Sequence, residues 1–203
     1  MNSSTVALSS TFCGAVRPLT SSTMENTTRS AYPQAFAAAV TQYSTLKAYS
    51  VAYIIDIGGF TIDVLKLRNG RPDLAVVESF EKGVITLYNS ITSKCNALYA
   101  RILEDCDIDE VIRNQPTVLP GEVQQLIRSM TGEFLSEFYN FLRERGIDVT
   151  TSKCVFAGGG SLLLRGMIER GNKVAFPIFI EDIHANARGY ELLYQSEVAS
   201  NGQ

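Results

Sequence analysis

VAYIIDIGGFTIDVLKLRNGRPDLAVVESF, residues 51 to 80, holds three apolar runs of strand length, separated by Gly58-Gly59 and by Asn69-Gly70. An Asn-Gly pair between two such runs is a hairpin signal, because both residues tolerate the positive φ that a tight two-residue turn demands. The stretch therefore predicts a three-stranded antiparallel meander. Its first run, Val51 to Ile57, is almost wholly apolar, as expected of a central strand covered on both faces. The second run alternates less cleanly through Ile62, Val64, Leu65 and Leu67, so burial should differ between strands.

Downstream, Val84 to Leu103 places Leu87, Ile91, Leu98 and Ile102 at helical spacing. Glu122 to Arg145 repeats the habit with Leu126, Met130, Phe134, Phe138 and Leu142 before Gly146 stops it. Two long helices are expected. Between them, Asp107 to Ile112 reads as a capped short helix, and Pro116 and Pro120 break the chain, so residues of about 104–135 are expected to form a small helical insert. The end of the chain alternates: Lys153 to Ala157 as a strand, Gly158-Gly159-Gly160 as a turn, Ser161 to Arg170 as a helix, Phe176 to Ile180 as a strand, His184 to Gln195 as a closing helix. Strand, turn, helix, strand is the grammar of a parallel βαβ unit. The fold class is thus α/β, a mixed five-stranded sheet in which two parallel strands extend three antiparallel ones, with helices on its faces.

Upstream, residues 1–30 are crowded with Ser and Thr and show neither strand nor helix period, so they read as an irregular or flexible lead-in without chemistry. From Ala31 the pattern changes. AYPQAFAAAVTQYSTL sets Phe36, Val40 and Tyr43 at helical spacing behind Pro33, a residue suited to a first helical turn. One lobe over residues 31–198 is expected, with a tail at 199–203.

The chain has 203 residues, 18 Lys and Arg against 21 Asp and Glu, and a formal net charge of −3. Such a balance argues against direct nucleic-acid binding, which needs clustered cations to neutralise phosphates. Cys13, Cys95, Cys106 and Cys154 are scattered without a C-x-x-C pair, and His184 is the single histidine, so a zinc site is not indicated. Buried thiols in a reducing compartment, the cytoplasm, are the plain expectation. No run approaches the roughly 18 apolar residues of a membrane span, and the opening residues lack the basic and apolar regions of a secretion signal.

Two stretches carry candidate chemistry. In Asp56-Ile57-Gly58-Gly59-Phe60-Thr61-Ile62-Asp63, successive glycines in a turn between central strands leave N–H groups unhindered for a phosphate tail. The flanking carboxylates, Asp56 and Asp63, would act on a polyphosphate through Mg²⁺ and its waters, since bare negative charges repel. A plain hairpin with capping aspartates explains the same residues without a ligand. In Phe156-Ala157-Gly158-Gly159-Gly160-Ser161-Leu162, a backbone without Cβ at a strand-to-helix turn lets a purine or ribose lie against it, beside a positive helix end. A tight βα connection is the bland alternative.

The order Pro33-Gln34-Ala35-Phe36-Ala37-Ala38, Asp56 to Asp63, Ala157 to Ser161, then Ala185-Asn186-Ala187-Arg188-Gly189-Tyr190 resembles the plasmid-segregation actins of the ParM/StbA kind, over about residues 31–195. The resemblance implies a ribonuclease H-like, actin-type ATPase lobe that uses ATP or ADP with Mg²⁺. It places Gly58, Gly59, Phe60 and Thr61 on the phosphates and Gly158, Gly159, Gly160 and Ser161 under the adenosine. It makes Asp56 a ligand of the Mg²⁺ water shell, Gln34 the residue that orients the attacking water, and Asp63 a second water contact. It treats the segment from Glu181 to Gly189 as a connecting helix and gives His184 no ligand role.

The resemblance also implies what to look for elsewhere. The superfamily's first phosphate loop, an Asp-x-Gly turn, has no counterpart before residue 56, so this stretch corresponds to the second half of such a protein. Phosphoryl transfer here is positioning between two walls, and one wall alone should bind nucleotide weakly and hydrolyse it negligibly. The expected partners are a first lobe, further copies in a filament, and an adaptor protein bound to plasmid DNA, with no membrane contact. A sugar or acetate kinase, an activator ATPase, a membrane-associated actin relative and a ligand-free scaffold are the competing readings.

Overall fold

An apolar strand with no polar face is stable only between two neighbours and under cover on both sides. Val51–Ile57 (β1) obtains both. It pairs antiparallel with Ile62–Arg68 (β2) and, on its other side, parallel with Lys153–Ala157 (β4). Arg71–Phe80 (β3) adds antiparallel to β2, and Phe176–Phe179 (β5) adds parallel to β4, giving the order β3-β2-β1-β4-β5. This is the mixed sheet expected from the sequence. At the β2–β3 hairpin Asn69 has φ 49° and Gly70 φ 75°, the paired positive angles that the Asn-Gly dipeptide announced. Both outer strands carry a proline, Pro72 and Pro177, which is tolerated where one side of the strand has no ladder to complete.

The computed structural model describes residues 36–37, 40–42, 46–182 and 184–201. Residues 1–30, Pro33 and Gln34 lie outside the described residues. Five further elements are helices: Val84–Tyr99 (α1), Asp105–Ile112 (α2), Gly121–Glu144 (α3), Gly159–Gly171 (α4) and Ala185–Asn201 (α5).

Alternation along the strands divides the core in two. Tyr53, Ile55 and Ile57 of β1, with Ile62, Val64, Cys154 and Phe156, face α1 to α4 and form the larger cluster. Ala52 and Ile54, with Leu65, Leu67, Val155 and Ala157, face the other way and are covered by Phe36, Ala37, Val40, Leu46 and by Ala185 and Leu193 of α5. Phe36, Ala37 and Val40 are helical, in agreement with their spacing. Residues of α2 and α3 share the larger cluster with β1 and β2, so the stretch read as an insert packs into the same core as the sheet. At the end of β3, Phe80 sits 6.2, 5.7 and 5.1 Å from the rings of Phe134, Phe138 and Phe141 on α3. Lys82–Glu137 and Arg145–Glu78 ion pairs brace the same contact from outside at 2.6 and 2.7 Å.

Element ends differ from the sequence expectation in four places. Helix α1 stops at Tyr99, where Ala100 turns left-handed with φ 50°, and its buried stripe is Leu87, Ile91 and Cys95. Leu98 lies off that stripe and Ile102 beyond the helix end, and both are exposed, at 59 and 78 %. Helix α2 starts earlier than Asp107, because Glu104 is its N-cap and Asp107 reciprocates from the third position in a capping box. Helix α4 takes in Gly159 and Gly160 as its first turn instead of starting at Ser161. Helix α5 runs past Gln195 to Asn201, so Ala199–Asn201, read as tail, is helical.

Cys95 and Cys154 are buried, Cys106 is exposed, and all three are unbridged. No helix among the described residues is long and apolar enough to cross a membrane. The packing predicts a sharp contrast between two contacts of α3. Phe138→Ala, at a fully buried ring, should lower the urea-unfolding free energy by about 3–5 kcal/mol. Lys82→Ala, at an exposed ion pair, should lower it by no more than about 1 kcal/mol in the same measurement.

Candidate functional site

The parallel register of β1 and β4 sets Asp56 opposite Ala157. Each strand ends within one residue of that pair, so the Gly58-Gly59 turn and the Gly158-Gly160 turn emerge side by side at one end of the sheet. They touch. A Cβ added to Gly158 would fall inside van der Waals contact of Asp56 Oδ1 and 2.5 Å from the Ile57 carbonyl oxygen. With φ +82°, Gly158 is also left-handed, so both backbone and neighbours require glycine there.

The β1–β2 turn is closed by the Gly58 N–H, which donates to the Thr61 carbonyl at 2.9 Å. Its carbonyls are taken by helix α1: Val84 N–H donates to Gly58 O at 3.1 Å and Ile85 N–H to Gly59 O at 2.8 Å. Two otherwise unsatisfied amides of a helix N-terminus are thereby capped by the turn. A trans peptide points its N–H opposite its C=O, so fixing these carbonyls toward α1 aims the N–H groups of Gly59 and Phe60 away from it. Among the described residues no acceptor takes the N–H of Gly59, Phe60 or Thr61. Gly83, the N-cap of α1, makes this docking possible, because a Cβ on it would lie 2.5 Å from the Gly59 carbonyl carbon and 2.6 Å from Gly58 O.

The three glycines of the second turn have different duties. Gly158 is required by φ and by Asp56, while Gly160 is buried, its missing Cβ falling 2.5 Å from both Ile57 Cγ2 and Val84 Cγ2. Gly159 is exposed, and a Cβ there would meet nothing within 4 Å. Ser161 turns inward: its hydroxyl donates to Gly158 O at 2.7 Å and its N–H to the same oxygen at 3.1 Å. These two hydrogen bonds to one carbonyl hold the turn to the first turn of α4.

Asp56 is 3 % exposed. Asn186, in the first turn of α5, donates from Nδ2 to Asp56 Oδ2 at 2.9 Å. Burial pushes the Asp56 carboxyl above the usual carboxylate range, the Asn186 hydrogen bond pulls it back, and the nearby Asp63 charge raises it further. Asp63 lies directly opposite Asp56 across β1 and β2 and is part-exposed. Its Oδ1 accepts from Ser79 Oγ at 2.7 Å and its Oδ2 from Thr61 Oγ1 at 3.4 Å. Tyr190, one helical turn beyond Asn186, has its phenol raised chiefly by burial, and by the Asp56 charge as well. Phe60 projects from the turn at 68 % exposure.

The structure thus brings together Asp56, Asp63, Gly58, Gly59, Phe60, Thr61, Gly158, Gly159, Gly160 and Ser161, and Gln34 lies outside the described residues. Sequence reasoning did not single out Gly83 or Asn186. Gly83 gave a faint signal, a lone glycine just ahead of a helical pattern. Asn186 stood in the Ala185 to Tyr190 stretch that carried the resemblance, read there as part of a connecting helix, and its contact with Asp56, 130 residues away, had no signal in the spacing.

No family model matches the chain, and no curated protein sequence does. Solved structures do, and they define the class: the fold is actin-like. Ta0583, an archaeal actin homologue, superposes with a TM-score of 0.59 at 21 % identity over 81 % of this chain and 55 % of its own. That protein has also been solved in complex with ADP. The apo psk41 ParM protein matches at a TM-score of 0.62 and 15 % identity, over 83 % of this chain and 49 % of its own. The Alp12 filament structure matches at 0.60 and 17 %, over 82 and 53 %. The chain therefore spans about half the length of the structures it resembles.

Two predictions follow from the geometry of the turns. Gly83→Ala should destabilise the ligand-free chain by about 1–3 kcal/mol, since backbone carbonyls cannot yield as a side chain does. Gly159→Ala should be neutral or stabilising by up to about 1 kcal/mol, both read from urea midpoints. For Asp56, a folded-state pKa above the unfolded one means that stability is lost as pH rises through the raised value. Asp56→Asn should therefore raise the ligand-free melting temperature at pH 7, with the advantage vanishing below about pH 4.

Proposed function

We propose that this chain is the nucleotide-binding second lobe of an actin-like ATPase of the ParM kind, which in the complete protein hydrolyses ATP, forms filaments and segregates plasmid DNA through an adaptor. The observation that carries the reading is the adjacency of two glycine turns over one buried carboxylate, Asp56. Amides at residues 59–61 that no protein acceptor takes suit phosphate oxygens, and the open space at Gly159 suits a flat adenosine. The buried, unpartnered carbonyl oxygen of Asn186 beside Asp56 suits a donor that the protein does not supply. Similarity to a protein solved with ADP and to a filament structure supports both halves of the proposal.

Among the described residues no group of three or more His, Cys, Asp or Glu is placed to hold a metal directly. Asp56, with Asn186 against it, would hold Mg²⁺ through its water shell, and the cation would supply charge neutralisation for the phosphates. Gly59, Phe60 and Thr61 orient the phosphate tail by their amides. Gly158 to Ser161 keep the backbone open and fixed beneath the nucleoside. Asp63, held by Ser79 and Thr61, makes the second water contact, and Gln34 orients the attacking water. A first lobe facing these turns closes the site and excludes bulk water.

Mg-ADP at a hundredfold excess over its dissociation constant should stabilise the chain by about 2.7 kcal/mol, or raise its melting temperature by roughly 5–10 °C. Asp56→Ala and Gly159→Val should abolish that rise. A shift that survives both substitutions, or no shift in the parent chain at any attainable concentration, refutes the assignment. Mixing the chain with an actin-type first lobe should give ATP hydrolysis that neither shows alone.

A further inference from the structure

Asn186 is placed with more care than a connecting helix needs. Asp182 starts α5 by accepting the His184 N–H on its side chain at 2.9 Å and the Ala185 N–H on its carbonyl at 3.0 Å, and Arg188 closes back on the same carboxylate at 3.3 Å. One turn on, Gly189 lies so close to the Ala37 carbonyl that no Cβ fits between them. These two anchors fix the depth and the rotation of the first turn of α5; between them Ala185 packs in the core cluster of the sheet and Asn186 reaches Asp56 at the end of β1. Its Nδ2 donates to Asp56, while its Oδ1 is buried and, among the buried side-chain polar atoms described, has no hydrogen-bond partner. The amide thus spends its donor on the carboxylate and leaves its acceptor unused. A buried acceptor left in this state is unfavourable, so its persistence needs a reason.

We propose that Asn186 is a positioning residue for the nucleotide-bound cation: its amide nitrogen sets the rotation of the Asp56 carboxylate between the two glycine turns, and its orphaned oxygen accepts a hydrogen from a water of the cation's shell. The inference rests on the nucleotide reading given above and assigns a role within that same site. The amide fits the task where other side chains do not. Leucine would offer no donor, aspartate would put a second charge against a buried one, and lysine would neutralise Asp56 and compete with the cation. An amide supplies one donor to the carboxylate and one acceptor to the water, from a single rigid plane. Partners of this kind, one bond removed from a metal, typically change its affinity by 10–100-fold.

The test uses the whole 203-residue chain and calorimetric titration with ADP, once with Mg²⁺ and once with EDTA. The parent chain should bind Mg-ADP more tightly than free ADP. Asn186→Ala should reduce that Mg²⁺-dependent increment by roughly tenfold or more while leaving the affinity in EDTA within about twofold. The double variant Asp56→Ala with Asn186→Ala should show no further loss beyond Asp56→Ala alone, because the two groups act as one unit. Asn186→Leu, close in shape and uncharged, gives a second route should the alanine variant fold poorly, and it should lose the increment as well. A readout without affinity is the Asn186 side-chain amide pair in a ¹⁵N–¹H spectrum, which should move on adding Mg-ADP and stay in place with ADP and EDTA. An increment unchanged in both Asn186 variants, or losses that add in the double variant, overturns the role of Asn186 and leaves the nucleotide reading standing. A parent chain with no ADP binding in either buffer overturns both.

Discussion

A carboxylate kept out of water at the end of the central strand sets the terms for everything around it. Asp56 is nearly inaccessible, its closest acidic neighbour is directly across the ladder, and the hydrogen bond that offsets its burial comes from a neutral amide. Burying an ionised group is unfavourable by several kcal/mol unless it is paired or hydrogen-bonded. Nothing in the packing of the sheet asks for an acid there, since Ala52 and Ile54 on the same strand face serve the core as apolar groups. The glycines around it follow from the same constraint, because Gly158 has to pass over the carboxylate with no side chain of its own.

The two glycine turns are held by different devices. The first is tied to a helix that follows it, with carbonyls 58 and 59 occupied by the opening amides of α1 and Gly83 giving the clearance. The second is tied by Ser161, whose hydroxyl and amide both bond to the Gly158 carbonyl. In each case the oxygen atoms of the turn are engaged by the protein and amide hydrogens are left over. A loop organised in this way is electropositive without carrying any cationic side chain, in a chain whose formal net charge is −3.

Most of the sheet was legible because its signals are local. The run Val51 to Ile57 has no polar face to hide, Asn69-Gly70 has one common use, and a glycine run between a strand and an amphipathic stretch marks a βα connection. The helix ends were less legible. Leu98 and Ile102 continue the spacing of Ile91, yet Ala100 breaks the helix between them, and no residue type at that position announced it. Asp107 looked like a cap because aspartate favours caps, whereas Glu104, three residues earlier, holds the position with Asp107 as its reciprocal partner. The residues of the candidate site were readable as a set of turns, but the division of labour among them was not. Which glycine answers to φ, which to packing and which to open space depends on atoms far along the chain, as do the contacts of Gly83 and Asn186.

Pro72 and Pro177, the occupants of the outer strands, bear on whether either border of the sheet can accept a further strand. Each removes one amide from the outward side of its strand, so neither border of the sheet presents an unbroken row of donors to another chain. Growth by adding strand to strand is thereby discouraged at both margins. The large apolar side chains left uncovered at Leu98, Ile102 and Val118 lie instead on a helix and in loops, so the apolar surface that remains can be covered or bared without opening the sheet that carries the glycine turns.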